Sequence, residues 1–337
     1  MAAPFPAPPG GTSCPSCGEP LGTGDRFCEA CGTDLVVRGG TSAAAAATGA
    51  RTCRSCGTVA VPDEGGFCPG CGLRHPAPTD RVEVDLGELA GVSDRGLVHA
   101  HNEDAMALGR RLAVARAAVV CDGVSTSRNP ELAATAAADT ALQVLLGVRD
   151  DPAVRTRDAI AAAGRTVAAL STRPDGPSCT LVSGLVEPGP DGHPEITVGW
   201  IGDSRAYWLA APDAAEATTA LTRDHSWAVE MVAAGLVSPD AAAVDRRAHA
   251  ITRWLGPDST SSPEVVTLRP AGPGALLLCS DGLWNYLDDA AGLAAVALPG
   301  ATTDPLATAA ALTTVALEAG GRDNITVVLI PVSRGVP

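Results

Sequence analysis

The chain has 337 residues, 46% of them apolar but only 3% aromatic, so a sizeable core is available and Ala, Val and Leu must fill it. A net charge of −14, with 38 acidic side chains against 24 basic ones that are all Arg, argues against a general nucleic-acid binder. No apolar stretch is long enough to span a bilayer, and the Pro-broken start lacks the basic region of a signal peptide, so a cytoplasmic protein without a membrane partner is expected.

Residues 1–12, rich in Pro, Gly and Ala, are expected to be a disordered terminus. Beyond them, eight of the eleven cysteines form four Cys-x-x-Cys pairs within the first 75 residues. The pairs are Cys14/Cys17 with Cys28/Cys31, repeated some 40 residues later as Cys53/Cys56 with Cys68/Cys71. Each pair is followed by Gly, which permits the tight turn that converges two thiolates on one ion. Two such turns close a tetrahedral S₄ site, suited to structural Zn²⁺ and leaving no open catalytic position. Redox use of Cys-x-x-Cys would place the motif at the start of a helix, and no helix signal is present. The reading is two zinc ribbons, at 13–35 and 52–74, separated by a flexible linker at 36–51 and followed by a second linker at 75–85. Modules this small depend on the metal for folding. Residues 1–80 carry 5 Arg against 7 Asp and Glu, which favours a protein partner for the ribbons over a nucleic acid.

Residues 86–333 read as one folded domain. Strands are expected at 113–121, 179–187, 196–201, 205–209, 264–268, 275–279 and 325–331, and helices at 131–146, 152–170, 227–234 and 305–319. Strands come in neighbouring runs interrupted by paired helices, so the class is α+β with antiparallel sheets.

Three aspartates abut the apolar runs. Asp122-Gly123 follows the run ending at Cys121, Asp281-Gly282 follows that ending at Ser280, and Asp323 precedes the run from Ile325. An acid beside a hydrophobic strand is costly to desolvate unless a cation neutralises it. One Asp-Gly alone is an ordinary turn; three, with Glu103-Asp104 after another turn, point to a site for hard cations, Mg²⁺ or Mn²⁺, held by oxygen ligands. Two ions bridged by a carboxylate can activate a water and offset charge on a phosphoryl oxygen.

Residues 89–332 resemble the type-2C family of metal-dependent serine/threonine protein phosphatases in its bacterial form. The resemblance rests on ordered segments: 93–98 with 102–104, 119–123, 178–181, 199–207, 221–226, 251–256, 277–283 and 321–328. It does not extend to the ribbons. It implies a central antiparallel β-sandwich flanked by helices, with two Mn²⁺ or Mg²⁺ ions at one end. Asp122 would bridge both ions, the Gly123 carbonyl would help hold the second, Asp281 and Asp323 would hold the first, and Glu103 would act on the second through water. Asp104 would support the ligands, Asp203 with Asp281 would form a weaker third site, and 227–256 would be a flap beside the centre.

Two departures touch the substrate. Where the family places an Arg that grips phosphate bidentately, this chain has His99, whose imidazole offers only one donor when neutral. The loop 122–130 lacks the His sometimes invoked as the acid for the leaving group, and Arg128 within it is a candidate to share the phosphate contact. The resemblance implies hydrolysis of phosphoserine and phosphothreonine in proteins, the substrates of a bacterial serine/threonine kinase. Asp122, Asp281, Asp323, Glu103 and Asp104 would carry the chemistry, and the ribbons would recruit a partner. The alternative is a weakly active or inactive scaffold that binds phosphoproteins.

Overall fold

Strands with apolar side chains on both faces need cover on both sides, and that requirement sets the layering of this chain. In β7 (Ala115–Cys121), Ala117, Val119 and Cys121 point one way and Ala118 and Val120 the other, all fully buried. In β13 (Gly274–Cys279), Leu276 and Leu278 oppose Ala275, Leu277 and Cys279 in the same manner. The result is two sheets packed face to face with a helical layer outside each.

The structure is a computed structural model. It describes residues 13–333, apart from 15, 23–24, 42–50, 54–55, 62, 64–65, 75–76, 149–150, 213, 215 and 260–261. The terminus 1–12 and most of the expected linker 36–51 lie outside the described residues. The further strands are β1 (Val36–Gly40), β2 (Arg51–Thr52), β3 (Val59–Ala60), β4 (Arg81–Asp85), β5 (Ala90–Asp94) and β6 (Ala105–Arg111). After β7 come β8 (Leu181–Pro188), β9 (Pro194–Ile201), β10 (Arg205–Ala210), β11 (Thr219–Ala220) and β12 (Glu264–Leu268), with β14 (Ile325–Val332) following β13. One six-stranded antiparallel sheet has the order β1-β6-β7-β8-β9-β12, the other β11-β10-β13-β14-β5-β4. The expected β-sandwich is present.

The helices are α1 (Pro130–Leu145), α2 (Pro152–Ala168), α3 (Trp227–Ala233), α4 (Pro239–Ala243), α5 (Asp281–Trp284), α6 (Ala290–Ala297) and α7 (Pro305–Glu318). Five buried alanines of α1, at 133, 134, 137, 138 and 141, let it lie close on the first sheet with α2. Helices α6 and α7 cover the second sheet through Leu293, Leu312 and Ala316. Asp151 caps α2 by accepting from the Ala153 and Val154 amides at 2.8 and 3.1 Å. Cys121, Cys179 and Cys279 are buried and unbridged, as expected for core thiols.

Two strands occupy segments expected to be linkers. Residues 36–40 form β1, paired with β6 from Val36–Arg111 to Gly40–Ala107, and not the start of a flexible spacer. An edge strand needs one partner and only half burial, so the sequence Val-Val-Arg-Gly-Gly carries no strong alternation. Strand β4 falls within the expected linker 75–85 and pairs with β5. Its alternation was present in the sequence: Val82 and Val84 pack into the inter-sheet core while Arg81, Glu83 and Asp85 face out. Leu35, just before β1, is 2% exposed against Leu21 and Leu112, and its carbonyl accepts from the Leu112 amide at 2.9 Å. The first ribbon is thereby fastened to the first sheet.

A chain beginning at residue 42 would bare the β6 edge and remove the Leu35 contact. The expected outcome is a Tm lower by roughly 5 °C and increased self-association, read by calorimetry and light scattering. An unchanged Tm would show that β1 contributes nothing.

Candidate metal centres

The two cysteine modules are near copies. In each turn the Gly amide after the second Cys donates to the carbonyl of the first, Gly18 to Cys14, Gly32 to Cys28, Gly57 to Cys53 and Gly72 to Cys68, at 2.8 to 2.9 Å. All four glycines have φ between +71° and +77°, a conformation costly for any side chain with a Cβ. The four Sγ atoms of each module lie within 4.8 Å of one another. Sγ–Sγ distances are 3.5 Å for Cys14–Cys31, 3.6 Å for Cys17–Cys28 and 3.7 Å for both Cys53–Cys71 and Cys56–Cys68. A tetrahedron with Zn–S bonds of about 2.3 Å has edges of about 3.8 Å, so the donor sets fit Zn²⁺. One cysteine of each Cys-x-x-Cys is buried and the other exposed.

Strand register assembles the second centre. Ala105 pairs with Cys121, Arg205 with Cys279, Cys279 with Val327 and Ile325 with Asp94. The residues just beyond these pairs therefore share one end of the sandwich. Asp104 precedes β6, Asp122 follows β7, Asp203 precedes β10, Asp281 follows β13 and Asp323 precedes β14.

Asp104 joins the two sheets. Its Oδ2 accepts from Ser280 Oγ and Thr326 Oγ1, both at 2.7 Å, while Oδ1 is buried without a partner. Burial, reinforced by Asp323 and Asp281, pushes its carboxyl up to about 8 against the hydroxyls. Burial and then Asp281 and Asp224 push Asp203 up to about 8. Burial and then Asp323 push Asp281 up to about 6 although Asp122 and Asn285 hydrogen-bond to it, and its Oδ1 is a second buried oxygen without a partner. Asp122 is raised well above the ordinary range by burial and then by Asp104, Asp281, Asp203 and Asp323. Mutual repulsion, oxygen-only donors and two orphaned carboxylate oxygens fit hard divalent cations.

Glu103 is held from both sides: its amide donates to Asn324 Oδ1 at 2.7 Å, and its Oε2 accepts from Ser125 Oγ at 2.6 Å. Gly123 packs so tightly that a Cβ would stand 2.7 Å from the Glu103 carbonyl oxygen. A Cβ on Gly282 would stand 2.0 Å from the Asn324 carbonyl oxygen, so this close approach of backbones requires Gly. His99 is at the centre, with Nε2 3.3 Å from Asp323 Oδ1. Arg128 is not engaged with the acidic cluster in this geometry: its Nε donates to Asp175 Oδ2 at 2.7 Å, a carboxylate it shares with Arg173.

Three supporting features were not singled out from the sequence. Asn324, 3% exposed, donates through Nδ2 to the Arg95 and His101 carbonyls at 2.8 and 3.1 Å as well as accepting from Glu103. Ser280 and Thr326 carry the Asp104 contacts. Their signal was position alone, beside Asp281 and Asp323. His225 and Asp224 buttress the Asp203 corner. His225 Nδ1 accepts from the Gly202 amide at 3.0 Å while its Nε2 meets Glu264 at 3.1 Å, and burial holds its pKa down. Asp224 takes a bidentate pair from Arg205, whose guanidinium lies 3.7 Å over the Trp284 ring. Trp284 in turn donates to the Asp203 carbonyl at 3.0 Å.

Residues 14–72 match the double zinc ribbon family. The chain is 31% identical over 261 residues to the serine/threonine protein phosphatase PstP of Mycobacterium tuberculosis, covering 75% of this chain and 46% of that protein. Among solved structures, the catalytic domain of PstP in complex with two manganese ions superposes with a TM-score of 0.55 at 27% identity, over 73% of this chain and 98% of the other. The phosphatase MsPP of Mycobacterium smegmatis, in complex with cacodylate, gives a TM-score of 0.55 at 28% identity, over 74% and 100%. The chain spans about half the length of the curated relatives it matches, 46% of PstP and 57% of Stp from Listeria innocua.

The raised carboxyls set a pH dependence. A carboxyl whose folded pKa exceeds its unfolded value of about 3.9 binds more protons folded than unfolded, so stability falls as pH rises between the two values. With Asp281 at about 6 and Asp104 and Asp203 at about 8, the chelated protein should lose stability from about pH 4 to pH 8. Mn²⁺ should then raise Tm more at pH 8 than at pH 5. Thermal scans with and without Mn²⁺ measure this; an equal increment at both pH values would count against the cluster as the cation site.

Proposed function

Because this chain is a homologue of the PPM-type serine/threonine phosphatases that carries a double zinc ribbon ahead of the phosphatase fold, we propose that it hydrolyses phosphoserine and phosphothreonine in proteins. The observation that carries the reading is the convergence of Asp122, Asp203, Asp281 and Asp323 on one end of the sandwich, with burial and then neighbouring carboxylates raising the pKa of Asp122, Asp203 and Asp281. Asp122, Asp281, Asp323, Glu103 and the Gly123 carbonyl would hold two Mn²⁺ or Mg²⁺ ions, and Asp203 with Asp281 a weaker third. The ions would supply an activated water and offset charge on the phosphoryl oxygens.

The chain's own residues do the positioning. Asp104 holds β6 to β13 and β14 through the Ser280 and Thr326 hydroxyls on its Oδ2, fixing the spacing of the acids across the sheets. Ser125 and Asn324 fix Glu103. His99 stands where an anionic phosphate would arrive beside Asp323, and its imidazole offers one N–H when neutral and two when protonated. A phosphate would compete with Asp323 for that donor, so the grip is weaker than a bidentate guanidinium gives. Arg128 is 67% exposed, and an exposed ion pair such as its pair with Asp175 is screened by solvent and weak, so a dianionic phosphate can draw it away.

The ribbons suit recruitment of a protein partner. Phe27, Val59, Val61, Phe67 and Leu73 stand exposed on them, and their cysteine sites leave no catalytic position. We take the catalytic unit as residues 86–333 together with the edge strands β1 and β4. No helix among the described residues is long and apolar enough to cross a membrane, and a cytoplasmic site of action fits this. The engagement of His99 and Arg128 by carboxylates favours one second reading, a weakly active or inactive scaffold that binds phosphoproteins.

Mn²⁺-dependent hydrolysis of a phosphothreonine peptide separates the two readings. Asp281→Asn should lower kcat roughly a hundredfold or more, since charge developing in the transition state loses its offset. A wild type no faster than that variant, yet binding the peptide, would establish the scaffold. His99→Arg should lower KM by about tenfold, the order of one charge-assisted hydrogen bond; a fall in kcat/KM would instead show that the imidazole has its own role.

A further inference from the structure

The loop 95–103 carries His99 and Glu103, and its fixation reaches outside the catalytic centre. On the inside, Arg95 Nη1 donates to the His99 carbonyl, and Asn324 ties the Arg95 and His101 carbonyls and the Glu103 amide. On the outside, two consecutive residues grip the loop at both ends. The Asp80 carbonyl accepts from the Arg95 amide at 2.7 Å, and the Thr79 carbonyl accepts from Asn102 Nδ2 at 3.2 Å.

Asp80 in turn belongs to the second ribbon as much as to the sheet. Its Oδ2 accepts from Arg74 Nη1 at 2.7 Å and from the Ala77 amide at 2.9 Å, and its Oδ1 accepts from Arg74 Nη2 at 3.1 Å. That same Oδ1 lies 3.7 Å from Arg95 Nε, a buried nitrogen without a hydrogen-bond partner. One carboxylate therefore sits between two guanidiniums, one from the ribbon and one from the loop. Arg74 is fixed by its bridge to Phe67, next to Cys68, whose amide donates to the Leu73 carbonyl at 2.7 Å. The pair is shielded, with side-chain exposures of 27% for Arg74 and 14% for Asp80, so salt screens it less than an open surface pair.

We infer that Asp80 is a positioning residue through which the second zinc ribbon holds the loop that carries His99 and Glu103. The inference rests on the phosphatase reading for its effect on substrate, but the mechanical link stands on its own contacts. When Arg74 is in place, Asp80 is pinned and presents its carbonyl to the Arg95 amide, so Arg95 can commit Nη1 to the His99 carbonyl. Without Arg74, Oδ1 is free to close on Arg95 Nε, the guanidinium is drawn outward, and the loop loosens. The ribbon then acts on substrate affinity through His99 more than on turnover, because Asp122 and Asp281 lie on strand ends that the link does not touch and Ser125 holds the Glu103 carboxylate from outside the loop.

The test uses the full chain with zinc bound. Arg74→Ala and Asp80→Asn should speed hydrogen exchange at the Leu97 and Glu103 amides, which donate to the Gly321 carbonyl and Asn324 Oδ1 at 2.7 Å, by roughly tenfold. The zinc content should stay at two ions per chain. KM for a phosphothreonine peptide should rise about fivefold while kcat stays within about twofold, and Arg74→Lys should restore most of both losses. If Asp80→Asn does not fold, Arg74→Ala carries the test, since Arg74 lies outside both sheets. Wild-type exchange at both amides in Arg74→Ala overturns the link, whatever the kinetics. Faster exchange in a chain that hydrolyses nothing would leave the link standing and remove the phosphatase reading alone.

Discussion

Asp104, Asp122, Asp203 and Asp281 all resist ionisation because they are withdrawn from water and surrounded by one another. Raising Asp104 from an ordinary value to about 8 opposes its ionised form by on the order of 5 kcal/mol. A domain is stable by only about 5–15 kcal/mol in total, so several such groups cannot stay charged near neutral pH on the strength of the core alone. Protons or divalent cations must share the site. The cation is thus part of the energetics of the fold before it is part of any reaction.

The sandwich resists this repulsion through stiffness. Each acid stands at the end of a strand buried on both faces, so its backbone cannot retreat without unpacking Val119, Leu277 or Val327. Between the acids the contacts are neutral: Ser280 and Thr326 on Asp104, Ser125 on Glu103, and Asn324 across the loop 95–103. A Lys or Arg in those places would neutralise the carboxylates and displace the cations they suit. The guanidinium of Arg205, beside the Asp203 corner, is committed to Asp224 and stacked on Trp284. Positioning and charge compensation are assigned to different chemical groups.

That division explains what was legible in the sequence. The acids could be read because a carboxylate against an apolar run has few bland explanations, and the ribbons because cysteine spacing repeats with its glycines. Most inner strands could be read for the same reason that they bury both faces, but β5 and β6, also inner strands, were not expected, because their Ala, Gly and Met residues give a weak strand signal. Strands β1 and β4 sit at sheet edges, where one hydrogen-bonded neighbour suffices and Gly, Pro and charged residues nearby suggest a linker. The short helices α4 and α6 were missed because they are brief and their buried residues few. The partner of Arg128 was invisible: Asp175 is 47 residues away in a different loop, and nothing local to either marks the pair. Asp80 was hidden in the same way, as an acid in a Pro-rich segment whose role depends on two guanidiniums brought in by tertiary structure.

The edges also change how the ribbons relate to the domain they precede. A recruiting module on a free tether would leave no mark on the sheets, yet the first ribbon runs without interruption into β1, the outer strand of one sheet. The second ends in Arg74, six residues from its carboxylate partner at the start of β4, the outer strand of the other sheet. One edge of each sheet is therefore occupied by chain belonging to, or fastened by, a cysteine module, while β12 and β11 form the opposite edges. Edge strands are where sheets open first, because they are paired on one side only. Metal bound to the thiolates stabilises the ribbons, the ribbons stabilise the edges, and the second edge supports the loop that carries His99 and Glu103. By this route a structural cation that never meets substrate enters the free energy of the acidic centre.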